Sequence, residues 1–225
     1  MLQPATLKFL KDLKKNNNKP WFDAHRPQYD AARKDFEQFI QALLDKHSKN
    51  DPDLVDLTAK QCMFRINRDV RFAKDKSPYK TNFGASMDRG GKKSGFAGYY
   101  FHCEPGSSFV GGGLWMPEPG IVKRVRQEID YSCNEFTKLM NGKKFSNYFG
   151  ELYKGENVQL SKVPHGYEKD NPACEYLKFK SWLVIHNLSD AEVTSSALVK
   201  NTVEAFKLMQ PFIKFLNRAV EDEQS

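Results

Sequence analysis

Apolar residues recur at helical spacing through the N-terminal third. Leu7, Leu10 and Leu13 are interleaved with Lys8, Lys11, Lys14 and Lys15, which predicts an amphipathic surface helix over residues 4–15. Phe22, Tyr29, Phe36 and Leu43 then repeat every seven residues, with Phe39 and Ile40 filling the same stripe. That pattern predicts a second helix over residues 20–47, with Asn18 capping its free N–H groups and Pro20 in its first turn. Asp51-Pro52-Asp53 breaks the chain.

The period changes in the middle. Ala97, Tyr99, Phe101 and Cys103 alternate with Gly98, Tyr100, His102 and Glu104, the period of a strand with one face toward a core. Pro105-Gly106 supplies a turn, and residues 109–115 return as a partner strand. Nine of the fourteen glycines fall between Gly84 and Gly113, so this region is expected to form hairpins. The run Gly111-Gly112-Gly113 marks a bulge or a close backbone approach.

Beyond Pro119, the residues Ile121, Val125, Ile129, Cys133, Phe136 and Met140 line one helical face. Residues 141–172 are expected to be loop, and residues 182–188 a strand. Ser189-x-x-Glu192 is a capping-box signature expected to open a final helix, which Pro211 should kink or split. The acidic tail, Glu221-Asp222-Glu223, is expected to fray. Helices at both ends and strands between them predict an α+β fold: central antiparallel β-hairpins packed by N- and C-terminal helices.

Composition adds bounds. With 225 residues, 28% charged and 40% hydrophobic, the chain is globular and long enough for its own core. No repeat, linker or boundary interrupts it, so residues 1–225 are expected to form a single domain. No stretch of 18 apolar residues exists, which predicts no membrane span and no membrane partner. The N-terminus lacks the apolar core of a signal peptide. Cys62, Cys103, Cys133 and Cys174 show no C-x-x-C spacing, so neither a disulfide framework nor a zinc knuckle is expected. A reduced, cytoplasmic setting follows. No metal-ligand spacing and no cofactor motif appears; Gly90-Gly91-Lys92-Lys93-Ser94 fails the P-loop pattern because Ser86 stands where its first glycine belongs.

Charge changes the picture most. Residues 60–93 hold ten Lys or Arg against three Asp, a local excess of +7 that equals the net charge of the whole chain. Arg65, Arg68 and Arg71 are spaced by three and followed by Lys76, Pro78, Tyr79 and Lys80. Arginine presents a planar fork suited to phosphate or carboxylate, while lysine acts as a point charge. The leading expectation is a pocket for a small anionic ligand, built from Arg65, Arg68, Asp69, Arg71, Lys76, Tyr79 and Lys80, with Tyr79 orienting the ligand. Two alternatives stand beside it. Nucleic acid would use the whole basic segment, although Phe64 and Phe72, flanked by apolar neighbours, are expected in the core. A purely structural block would pair its arginines internally, with Asp69 as a clamp between Arg68 and Arg71.

Nothing names a reaction. No G-x-S-x-G is present, His102 and Glu104 read as a solvated pair on one strand face, and Asp69 and Asp75 are the only carboxylates inside the block before Asp88. Enzyme status and oligomeric state stay open.

The run Arg65-x-x-Arg68-Asp69-x-Arg71-Phe72-x-x-x-Lys76-x-Pro78-Tyr79 resembles the signature of a mainly bacterial family, domain-of-unknown-function family 2461. The likeness extends to Trp21-Phe22-x-x-His25-Arg26-x-x-Tyr29, to Gly98-Tyr99-Tyr100 and to Gly112-Gly113-Leu114-Trp115-x-Pro117, and so covers nearly the whole chain. It implies a single-domain protein of this length and no particular activity.

Overall fold

The computed structural model describes residues 1–221, so the expected fraying at Asp222 and Glu223 lies outside the described residues. Helices α1 (Pro4–Lys15), α2 (Lys19–Ala24) and α3 (Arg26–His47) lead, followed by a 3-10 turn (Pro52–Leu54) and the one-turn α4 (Ala59–Cys62). Strands β1 (Phe83–Asp88), β2 (Gly98–Cys103) and β3 (Ser108–Leu114) come next. Helices α5 (Pro119–Tyr131), α6 (Cys133–Met140), α7 (Lys143–Phe149) and α8 (Cys174–Leu177) precede β4 (Trp182–Leu188). The short α9 (Asp190–Val193) and the long α10 (Leu198–Glu221) complete the described chain. The strands form one antiparallel sheet in the order β1-β2-β3-β4, and the fold is α+β.

Local chemistry explains most of these elements. Asn18 caps α2 by accepting from the Trp21 N–H at 3.0 Å. The helix expected over residues 20–47 is two helices: the chain turns at His25, and Pro27 then sits in the first turn of α3, where its missing N–H is not needed. The segment expected to be loop contains α7, bracketed by Gly142 and by Gly150 at a φ of 71°. The Ser189/Glu192 capping box forms, yet it opens only the one-turn α9; the last helix starts nine residues later, at Leu198. Pro211 does not split α10. A proline inside a helix costs about 3 kcal/mol. Phe206, Met209, Phe212 and Phe215 are all buried on that helix, and burial of each such side chain contributes roughly 1.5–3 kcal/mol, which outweighs the cost.

The chain divides into two compact units. The first comprises Met1–Lys92, Tyr100–Val110 and Asn187–Ala205. Its core is an aromatic cluster in which Phe36 meets Phe83 at 5.5 Å and Phe39 meets Phe101 edge-on at 4.7 Å, setting α3 against β1 and β2. The second comprises Lys93–Tyr99, Gly111–His186 and the chain from Phe206 onward. There α10 packs Phe206 on Tyr99 at 4.8 Å and Phe215 on Phe136 at 4.9 Å. The buried Asn217 acts as a strand partner: its Oδ1 accepts from the Ala97 N–H at 2.7 Å, and its Nδ2 donates to the Ala97 carbonyl at 3.2 Å. Gly113 adopts a φ of 125°, and a Cβ there would overlap the Trp182 carbonyl oxygen, so the glycine run marks a close approach of β3 to β4. Among the described residues no helix is long and apolar enough to cross a membrane.

Candidate functional site

The basic segment is an arm of the first unit. Met63 bridges Ala85 and Asn67 bridges Tyr79, both antiparallel, so residues 63–67 pair with residues 79–85. The register shifts by two residues between those bridges. The arm's tip, residues 68–78, is closed by its own charges. Arg68 Nη1 donates to Asp75 at 2.5 Å and to the Ser77 carbonyl at 3.1 Å. Arg71 grips Asp69 through Nε at 3.0 Å and Nη2 at 2.7 Å. Lys76 Nζ donates to the Val70 and Arg71 carbonyls at 3.0 and 3.4 Å. The Arg71 fork holds the Asp69 carboxyl below its usual range. Ser77, through its hydroxyl and its backbone N–H, holds Asp75 well below it, with Arg68 adding to the effect.

Tyr79 is buried, stacked on Phe22 at 4.0 Å, with its backbone held by Asn17 on both sides. Of the seven residues expected to form a pocket, Arg68, Asp69, Arg71 and Lys76 are therefore engaged with one another's segment. Arg65 and Lys80 are different. Among the described residues neither makes a salt bridge. The Lys80 ammonium is half-buried, and burial first, then repulsion from Arg65, pushes its pKa down.

Phe64 and Phe72, expected in the core, are 38% and 96% exposed. Met63 and Ile66, both buried, take the inward positions of this arm; three residues apart, they depart from strict alternation where the register shifts between the two bridges. Phe72 stands on the tip, with the Arg71 guanidinium 5.9 Å from its ring. Around Phe64 the cations converge: Lys80 Nζ lies 5.3 Å from the ring centroid and Lys92 Nζ 5.8 Å, and Lys92 also donates to the Met63 carbonyl at 2.6 Å.

Phe64 neighbours Tyr100 of β2, ring to ring at 6.3 Å. From Tyr100 a polar line runs along that strand face. The Tyr100 hydroxyl and the Asn82 amide lie 3.3 and 3.4 Å from His102 Nδ1. With Asn82 donating to Nδ1, the ring proton sits on Nε2 and is donated to Glu104 at 3.3 Å. Glu104 also accepts from Thr81 at 3.0 Å and from Lys14 at 3.3 Å. Gly84 makes room for Tyr100, since a Cβ there would overlap the phenol oxygen.

His102 and Glu104 are thus no solvated pair: their side chains are only 16% and 20% exposed, and the imidazole stacks on Phe109 at 4.7 Å. Burial pushes the Tyr100 phenol up to about 12 and lowers the His102 pKa, with the Glu104 carboxylate working against that fall. Burial alone would raise Glu104, but hydrogen bonds from His102, Thr81 and Lys14 bring it below its usual value. Near pH 7 the line is a neutral phenol and a neutral imidazole backed by a carboxylate. Such an array can donate a hydrogen bond at its Tyr100 end or pass a proton along it.

Sequence reasoning ranked Arg68 and Arg71 with Arg65 and Lys80. The internal-pairing alternative named Asp69, which Arg71 does engage, but Arg68 turns instead to Asp75, seven residues away, a pair that forms only once the tip has folded. Sequence reasoning missed Lys92 and Tyr100, whose approach to Phe64 depends on strand pairing. The alternating pattern around Tyr100 was the available signal.

A family profile described as conserved hypothetical protein (DUF2461) matches residues 5–215. No curated protein and no solved structure matches the chain.

Proposed function

The chain belongs to the DUF2461 family, and from that premise we propose that it binds a small ligand carrying a phosphate or carboxylate group against the Phe64 face of the first unit. Lys80 and Arg65 supply the charge, with Lys92 beside them. Phe64 offers a flat apolar surface, and Tyr100, backed by His102 and Glu104, a hydrogen-bond donor. The observation that carries this reading is the half-buried Lys80 ammonium, which has Arg65 for an electrostatic neighbour and, among the described residues, no carboxylate in ion-pair range. Gathering unpaired cations on one face costs repulsion that a bound anion relieves. A cytoplasmic setting accompanies the reading, since all four cysteines are free thiols.

The test is a thermal-shift titration of the full chain with inorganic phosphate, phosphorylated metabolites and dicarboxylates. A ligand at 100 times its Kd adds about 2.7 kcal/mol, or roughly 5–10 °C for a chain of this size. Lys80→Ala should abolish the shift and leave the unliganded melting temperature nearly unchanged. Absence of any shift up to millimolar anion, or a shift that survives Lys80→Ala, would sink the proposal.

A second reading has its own support. Phe72 is almost wholly exposed beside Arg71, and Phe64 is flanked by two ammonium groups, an arrangement suited to stacking the bases of a single strand. It requires log K to fall by about 0.7 per neutralised phosphate for each log unit of salt, and it requires Phe72→Ala to weaken binding. A small-ligand site is indifferent to Phe72→Ala.

A further inference from the structure

The second unit contains a cleft of about 800 Å3 between α5 and the chain around residues 157–167. Arg126, in the middle of α5, lines it. One guanidinium nitrogen, Nη2, donates to the Phe179 carbonyl at 2.9 Å, while the Nε–H is buried without a hydrogen-bond partner. Among the described residues no carboxylate lies in ion-pair range of Arg126. Buried polar groups are almost always satisfied, and a half-buried guanidinium whose Nε–H is sealed from solvent without a partner is rare enough to need a cause.

Three further observations point the same way. Lys123 and Lys180 also line the cleft, and Asp130 is the one acidic lining side chain, its Oδ1 already accepting from Asn171 at 2.5 Å. Two non-glycine residues of the described chain have positive φ, Met116 at 43° and Asn157 at 60°, and both line this cleft. Asparagine tolerates that region; methionine rarely visits it, and Met116 is held there by its N–H donating to the buried Ser181 hydroxyl at 2.9 Å. Pro117, Val122, Leu160 and Pro164 give the cleft an apolar side, and the neutral polar Gln127, Tyr167 and Ser181 line it with them.

We propose that this cleft is a separate binding site for a small organic acid: an apolar body against the proline, valine and leucine wall, and one oxyanion group facing Arg126 with Lys123 and Lys180. A carboxylate and a phosphate monoester share the required chemistry. The site draws on no residue of the Phe64 face, so the two proposals stand or fall separately.

Calorimetric titration of the full chain with benzoate, phenyl phosphate and inorganic phosphate tests it. Benzoate or phenyl phosphate should bind, whichever is tighter identifying the head group, while inorganic phosphate, which has no apolar body, should bind at this cleft at least tenfold more weakly. Arg126→Gln should weaken the organic acid at least about tenfold, the loss of one charge-assisted hydrogen bond. Val122→Trp, which fills the apolar side and leaves every cation in place, should do the same and carries the test if Arg126→Gln does not fold. Lys80→Ala should leave this binding unchanged. Failure of both organic acids to bind, or binding indifferent to both cleft variants, would overturn the inference. So would binding of organic acid abolished by Lys80→Ala, because it would assign the ligand to the other face.

Discussion

Asp88, at the end of β1, offers the sharpest quantitative test. It is buried, its one side-chain hydrogen-bond partner among the described residues is the Ser86 hydroxyl at 2.7 Å, and burial pushes its pKa up to about 6 from an ordinary 3.8. A difference of two pKa units corresponds to about 3 kcal/mol. The folded state then holds a proton that the unfolded chain has released between about pH 4 and 6. Stability attributable to this group is therefore full below pH 4 and is lost as pH rises toward 6 and beyond.

Asp88→Asn keeps the shape and removes the charge. It should raise stability at pH 7.5 by up to about 3 kcal/mol, or about 6–12 °C in melting temperature, and change little at pH 4. Urea unfolding at half-unit steps from pH 4 to 8, followed by circular dichroism, reads the effect as the difference between the two proteins. Other titrating groups cancel in that difference. Parallel pH profiles for wild type and Asp88→Asn would refute the reasoning and mean that Asp88 is ionised and compensated in the folded state.

Other perturbations have equally definite outcomes. Asn217→Leu strips the partner from both backbone groups of Ala97, and at about 1–3 kcal/mol for each orphaned group it should cost about 2–6 kcal/mol by denaturant unfolding. Gly113→Ala combines a backbone region that L residues avoid with overlap on the Trp182 carbonyl; its loss should exceed about 3 kcal/mol or prevent folding, whereas Gly106→Ala, where a Cβ meets nothing, should show the cost of positive φ alone. Glu104→Gln removes the carboxylate that supports His102, so the imidazole pKa, followed by NMR of its ring protons, should fall further; a rise would mean that the His102–Glu104 bond is absent in solution.

Much of the fold was readable in the chain because its signals are local. The alternation of Ala97, Tyr99, Phe101 and Cys103 identified the buried face of β2, and the Asn18 cap follows from side-chain chemistry within three residues. The errors came from competition between local preference and packing. Pro211 was expected to kink or split α10, and four buried side chains keep it from splitting; Phe64 and Phe72 are hydrophobic and still lie outside, because Met63 and Ile66 take the inward positions of a narrow arm. The site was legible as composition rather than as geometry. The excess of lysine and arginine singled out a candidate segment, yet only the closed tip shows that Arg68 and Arg71 are spoken for, while among the described residues Arg65 and Lys80 make no salt bridge. Arg126 carried no signal at all, since the carbonyl that its Nη2 meets belongs to Phe179, 53 residues away.

The Asn217–Ala97 pairing also sets a timetable for the chain as it is made. The two residues are 120 positions apart, so at about 5–20 residues per second Ala97 waits roughly 6–24 seconds for its partner to leave the ribosome. Phe206, Phe212 and Phe215, which complete the same core, arrive equally late. Throughout that interval the start of β2 presents an unpaired N–H and carbonyl beside uncovered aromatic residues. Chaperone demand during synthesis should concentrate there, and it should end abruptly when α10 emerges.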